Sequence, residues 1–333
     1  MYQQNLMISV LQVFGILLVV IGHSFYGCQN NIVIYTWIYS FHMPLFMFIS
    51  GYLLKYTLKL KSLSLSSMSF HKRNELFKKK IKRLLIPYVT ISTLAFFPKA
   101  LMNRFAMRPI DISLNSFIEM LIYPWNNVII FFWFLPTLFI IFSIVIYTSN
   151  DKIKLPYYLI LFLLGLLHLF NPLKEISLLN IGGVISYMIY FISGYYFCKQ
   201  NIEYKLSQNP IIVFCITFMA SIIFILLPNF LGKDLLMAFN GILMSISFSQ
   251  FYIKYNWHFF HHLFGASFAI YLFSWFPQVL AQQVFLALTH STWQIATCLA
   301  IISGVYIPFF IYKWIIKNKQ RKYGRIIALL TGQ

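Results

Sequence analysis

Long apolar stretches separated by short polar ones run the whole length of the chain. Ten of them reach or approach the roughly 20 residues that carry a helix across a hydrocarbon core. They fall at 5–26, 34–55, 84–102, 128–148, 155–171, 180–198, 210–228, 235–252, 264–289 and 294–316. The fifth is the shortest. This pattern predicts an all-α fold: a polytopic transmembrane helical bundle of about ten spans, as one domain over residues 1–333. No internal repeat and no second domain is evident. Composition agrees, because only 10% of the 333 residues are charged and 60% are hydrophobic. A soluble domain carries about 25% charged residues. Such a chain cannot clothe a water-facing surface, so lipid is its main solvent. The first apolar run lacks the charged leader and small-residue cleavage site of a secretory signal.

Charge then orients the spans. The net charge of +19 suits basic cytoplasmic loops against anionic lipid rather than nucleic acid. With the N-terminus inside, 21 Lys and Arg fall in cytoplasmic segments and 5 fall outside (Lys99, Arg104, Arg108, Lys174 and Lys233). Lys152 and Lys154 belong to the inner set. Deleting the short fifth span leaves 14 against 12, so the asymmetry favours ten spans with both termini cytoplasmic. The four cysteines, Cys28, Cys198, Cys215 and Cys298, show no paired spacing and read as small apolar residues.

Residues 56–83 form a cytoplasmic basic loop in this reading, and 317–333 a cytoplasmic tail. The loop opens with a Ser-rich linker and ends in a cationic segment from Lys72 to Arg83. Phe70, Phe77, Ile81 and Leu84 recur at helical spacing with the cations mostly elsewhere. That predicts an amphipathic helix on the inner leaflet, drawn to membrane lipids. The same cations can pair with the phosphates of a polyphosphate donor. Lys82 and Arg83 matter most here, because they enter the third span.

Two histidines carry the candidate chemistry. His42 stands inside the run Phe41–Tyr52, with Pro44 beside it, and His23 ends the preceding run. An ionisable ring inside a membrane span marks a functional site by default. The helical rise puts His23 about 5 Å and His42 about 10 Å below the outer ends of their spans. Contact is therefore feasible. Imidazole titrates near neutrality, which suits a general base; the plainer alternative is a neutral ring bonded to a carbonyl for packing. The cluster His258, His261 and His262 has no carboxylate or cysteine near it in sequence and reads as interfacial, so no metal is expected. His71, His168 and His290 read as loop or helix-end residues, and Trp133, Trp275 and Trp293 fit interfacial belts. No Asp or Glu lies deep in a span, which argues against ordinary ion-coupled transport.

These residues form an order that resembles a known family. Gly22-His23, then FHMPLFMFISGY at 41–52, Lys82-Arg83 with LLIPY at 84–88, WFLPTLF at 133–139 and SFAIYL at 267–272 are similar to the membrane-bound acyltransferase-3 family of bacteria. The resemblance implies a ten-span transferase of the bacterial inner membrane. It would take an acyl group, commonly acetyl from acetyl-CoA or another acyl-CoA. The acceptor would be a hydroxyl of an extracytoplasmic glycan or lipid-linked sugar. The family's span-one histidine maps onto His23. His42 would orient it, position substrate or relay a proton, Lys82 and Arg83 would hold CoA phosphates, and Tyr52 and Trp133 would meet substrate. Direct transfer and a covalent acyl-histidine both fit. Two positions depart from the family pattern. The basic residue usual eleven positions before the histidine is Gln12 here, and the late histidine after the Tyr-Leu pattern is absent, with Ser274 nearby. A glycan exporter or flippase on the same fold and a non-catalytic assembly partner are the alternatives. The pattern is also compatible with a homo-oligomer.

Overall fold

The computed structural model describes residues 2–25, 33–101, 103, 109–149, 156–206, 208–289 and 293–333. Cys28, Arg104, Arg108, Lys152, Lys154 and His290 lie outside the described residues. In chain order the helices are α1 (Tyr2–Ser24), α2 (Val33–Leu60), α3 (Phe70–Lys80), α4 (Ile86–Leu101), α5 (Leu114–Ile122), α6 (Phe134–Thr148), α7 (Tyr157–Leu169) and α8 (Ile181–Lys199). They continue as α9 (Ile202–Leu206), α10 (Pro210–Leu226), α11 (Lys233–Lys254), α12 (Ser267–Phe273), α13 (Trp275–Thr289), α14 (Trp293–Asn318) and α15 (Lys322–Leu330). The described residues contain no strand. The fold is an all-α, multi-pass bundle. Among the described residues, seven helical stretches are by length and composition fit to cross a membrane: Leu6–Ser24, Val33–Leu60, Phe70–Leu101, Ile130–Thr148, Leu178–Lys199, Lys233–Lys254 and Trp293–Asn318. Two of the other expected spans fall on the shorter apolar helices α7 and α10, and the last on α12 and α13.

Packing divides the chain into two compact units. The first comprises Met1–Thr57 and Tyr190–Tyr312; the second comprises Leu58–Ile189 and Lys313–Gln333. In the first unit α10 and α1 both pack on α11, with Leu18, Ile38, Phe41 and Met244 buried together. Glycines set how closely its helices approach. A Cβ on Gly15 would lie 3.1 Å from the Phe46 ring, and one on Gly22 would lie 3.0 Å from the Tyr39 ring. Gly15 and Gly22 are seven residues apart and share one face of α1; Phe46 and Tyr39 are seven apart in the opposite order. The two helices therefore run antiparallel along a seam of rings seated on glycines. Farther along α2, a Cβ on Gly51 would lie 1.8 Å from the Phe191 carbonyl oxygen, and one on Gly194 would lie 2.0 Å from that of Phe48. Only residues without side chains let these two backbones meet so closely.

The second unit departs from the expected loop. Helix α2 runs on to Leu60 and α3 starts at Phe70, so the non-helical linker is only 61–69. The basic segment forms α3, which has no buried residues. It continues through a π-helical turn, Ile81–Leu85, into α4. Pro87 helps explain the turn, since it has no N–H to give the Arg83 carbonyl four residues back. Helix α3 packs on α6: Phe77 sits against Phe139 and Tyr147, and Phe70 against Tyr147. In the C-terminal segment, α15 packs on α4 and on the π turn.

Candidate active site

His23 is the penultimate residue of α1, and Gly22 before it leaves room for the Tyr39 ring from α2. The Tyr39 hydroxyl lies 3.0 Å from His23 Nδ1. Tyr39 also stands edge-on to His42, with ring centroids 4.8 Å apart. The two imidazoles are 6.5 Å apart between centroids and nearly perpendicular. The structure thus brings His23 and His42 together, with Tyr39 touching both. His42 is 2% exposed, and its Nδ1 lies 2.8 Å from the Ile38 carbonyl. A carbonyl only accepts, so Nδ1 carries the proton and Nε2 of the neutral ring carries the lone pair. Tyr39 was not singled out in the sequence. The available signal is its i, i+3 spacing to His42, which puts both rings on one face of α2; Tyr35 extends that face by stacking on Tyr39 at 4.0 Å.

A polar seam holds the end of α1. Gln278 Nε2 donates to the Val20 carbonyl and to Ser24 Oγ, each at 2.8 Å. Gln282 Nε2 donates to the Ser24 carbonyl at 2.6 Å. Ser24 Oγ donates to the Val20 carbonyl. The last turn of a helix leaves carbonyls without intrahelical donors, and α13 supplies them. This seam fixes the backbone that carries His23.

Tyr52, expected at the substrate, is 2% exposed. Its hydroxyl donates to Glu203 Oε1 at 3.2 Å, and Gln250 Nε2 donates to the Glu203 carbonyl at 2.7 Å. This group ties α2, α9 and α11 together around a buried carboxylate. The segment at 257–262 also packs as an aromatic cluster. The Tyr252 ring lies among Trp257, Phe259, Phe260 and His261, and its hydroxyl accepts from the Phe260 N–H. Among the described residues, no three His, Cys, Asp or Glu side chains converge as a metal site.

In the second unit, Lys82 and Arg83 are exposed on the π turn. Such turns occur often at functional sites because they widen the helix and re-aim side chains. Exposed Lys322 and Arg325 belong to α15, which packs on the same turn. Arg73 has a different task. Its guanidinium donates to the carbonyls of Leu65, Met68, Ile146, Tyr147 and Ser149 at 2.7–3.2 Å. It therefore caps the C-terminus of α6 and pins the Ser-rich linker. Lys80 Nζ lies 3.5 Å over the Phe142 ring. The basic segment thus contains structural cations as well as exposed ones. Trp133 is buried, with Trp125 stacked on it at 5.1 Å and Tyr187 at the same distance. Trp125 is 47% exposed, and its indole N–H donates to Asn180 Oδ1.

An imidazole pair joined by a tyrosine, with His42 buried and His23 partly buried, in a protein with several membrane-crossing helices, suits acid–base chemistry of many kinds. The family decides the class. A family model described as an acyltransferase domain, Acyl_transf_3, matches residues 5–313. The chain belongs to the acyltransferase-3 family. It is an enzyme that transfers acyl groups and a multi-pass membrane protein. Comparison with curated proteins and with solved structures finds no match. As an acyltransferase-3 member it requires an acyl donor as co-substrate, and the matched stretch contains His23, Tyr39, His42, Lys82 and Arg83.

Proposed function

We propose that the protein is an O-acyltransferase of the bacterial cytoplasmic membrane, with about ten spans and both termini inside. It would pass an acyl group, in the first instance acetyl, from acyl-CoA to a hydroxyl of an extracytoplasmic or lipid-linked glycan. The observation that carries this reading is the His23–Tyr39 hydrogen bond in a chain of this family. A base whose far ring nitrogen is held by a second group is the general arrangement for activating a hydroxyl.

In the tautomer that donates Nδ1–H to the Tyr39 oxygen, His23 Nε2 holds the lone pair. It takes the proton of the acceptor hydroxyl as that oxygen attacks the thioester carbonyl carbon. The tetrahedral intermediate collapses with cleavage of the carbon–sulfur bond. The departing thiolate takes the proton back from the imidazolium, leaving free thiol, an ester and neutral His23. Tyr39 stabilises the positive ring, and His42 buttresses Tyr39 through its fixed edge-on contact. Lys82 and Arg83 hold the donor's phosphates by charge-assisted bonds. Trp133 serves the acceptor indirectly, by backing the exposed Trp125 as a surface for a sugar ring. Tyr52 acts by holding α2 in place.

The test compares surface glycans from wild-type and deletion strains by mass spectrometry. Loss of one acyl increment per modified residue, with polymer length unchanged, is the expected result. Loss of exported polymer with unchanged acylation would instead indicate transport and reject the transferase.

A further inference from the structure

Helices α12 and α13 run as one hydrogen-bonded helix through Ser274, whose N–H donates to the Ile270 carbonyl and whose carbonyl accepts from the Gln278 N–H. At 100° per residue, Ser267, Tyr271, Ser274, Gln278 and Gln282 fall on one stripe about 80° wide and about 22 Å long. That is roughly three-quarters of a hydrocarbon core. Such a stripe in a largely apolar helix needs partners. Gln278 and Gln282 have theirs on the last turn of α1 beside His23.

The two serines do not. Ser267 is 8% and Ser274 1% exposed, and neither buried hydroxyl makes a hydrogen bond. Helical hydroxyls elsewhere in the protein bond back to a carbonyl one turn earlier: Ser24 to Val20, Thr137 to Trp133, Ser221 to Thr217 and Ser245 to Gly241. The same option is open to Ser274, yet its hydroxyl points elsewhere. A buried hydroxyl without a partner destabilises the fold, so a polar group that completes it when bound is a physical reason to keep it. Position adds to this. Gln278 reaches Val20 and Ser24, while Gln282 reaches the carbonyl end of Ser24, so α13 runs parallel to α1. Ser274 and then Ser267 therefore lie progressively toward the N-terminal, inner end of α1. Gln12 and His23, eleven residues apart, share a face of α1 about a quarter of a turn from this contact.

We propose that Ser267, Ser274 and Gln278 form an uncharged hydrogen-bonding track for the amide-bearing arm of the thioester donor, leading to His23. Hydroxyls and a carboxamide match neutral amides; phosphates call for cations instead. The track rests on the acyl-CoA reading above.

The experiment measures equilibrium binding of acetyl-CoA, and separately of adenosine 3′,5′-bisphosphate, to the full-length protein in lipid nanodiscs. The nucleotide has the phosphates but no arm. Ser267→Ala/Ser274→Ala should weaken acetyl-CoA binding about 5- to 50-fold, leave the nucleotide unchanged, and keep or raise the thermal midpoint, because no internal hydrogen bond is lost. Ser143→Ala, which removes a hydroxyl bonded back to Phe139, should leave both affinities unchanged. Unchanged acetyl-CoA affinity in the double variant, equal loss for both probes, or a lowered thermal midpoint would overturn the track while the donor reading stands. A wild-type protein that binds neither probe would overturn the donor reading and the track with it.

Discussion

At the scale of single residues, the proposed site reduces to a base and the group that aims it. His23→Ala should lower acyl transfer by about 10²–10⁴-fold, the usual contribution of a general base, with membrane abundance unchanged; radiolabelled acyl transfer in isolated membranes reads this directly. Tyr39→Phe keeps the ring seated on Gly22 but removes the 3.0 Å bond to Nδ1. A fall of about tenfold follows from the loss of one hydrogen bond to a developing charge. The residue scale is also where sequence reading reached least far. His23 and His42 stand out because ionisable rings are rare in apolar runs. Tyr39, Gln278 and Gln282 do not, since tyrosine and glutamine near a span end are ordinary, and only the fold shows that they meet α1. Tyr52 and Trp133 sit in family-like motifs, and in the structure one is bound to Glu203 and the other is stacked within an aromatic group.

At the scale of elements, close helix approach and end-capping hold the site's supports. Gly51→Ala would put a methyl group 1.8 Å from a carbonyl oxygen of α8. It should therefore cost about 1–3 kcal/mol, as overpacking does, and lower the thermal midpoint of the detergent-solubilised protein. Arg73→Ala removes the donor to five carbonyls, and Arg73→Lys should not rescue it because an ammonium lacks the planar fork. Both variants should melt several degrees lower than wild type. The helical stretches were legible in the sequence because each is a long apolar run. The basic segment was legible as a helix, through Phe70, Phe77, Ile81 and Leu84. Its continuation into α4 was not, because dense charge reads as a boundary although a helix can pass through it. Neither was Arg73 separable from its cationic neighbours, since five carbonyl acceptors from two distant segments leave no local signature.

At the scale of the whole molecule, the proposed reaction joins a donor made in the cytoplasm to an acceptor outside. Reversal of charge at Lys82 and Arg83 should raise the donor KM well above tenfold with a smaller effect on kcat, as expected where binding rather than chemistry is lost. Added salt should mimic it in part, because exposed ion pairs are screened. Reporter fusions at both termini should report a cytoplasmic location if the charge asymmetry orients the bundle. Membrane class and helical architecture were open to sequence reading because composition alone enforces them. The acceptor was not, because recognition of an acceptor rests on a few exposed groups that leave no pattern along the chain. The most direct measurement returns the wild-type gene or the His23→Ala gene to a deletion strain and quantifies acyl groups on surface glycans by mass spectrometry at matched membrane abundance. The account predicts full restoration by the wild type and none by the variant; equal restoration by both would contradict it.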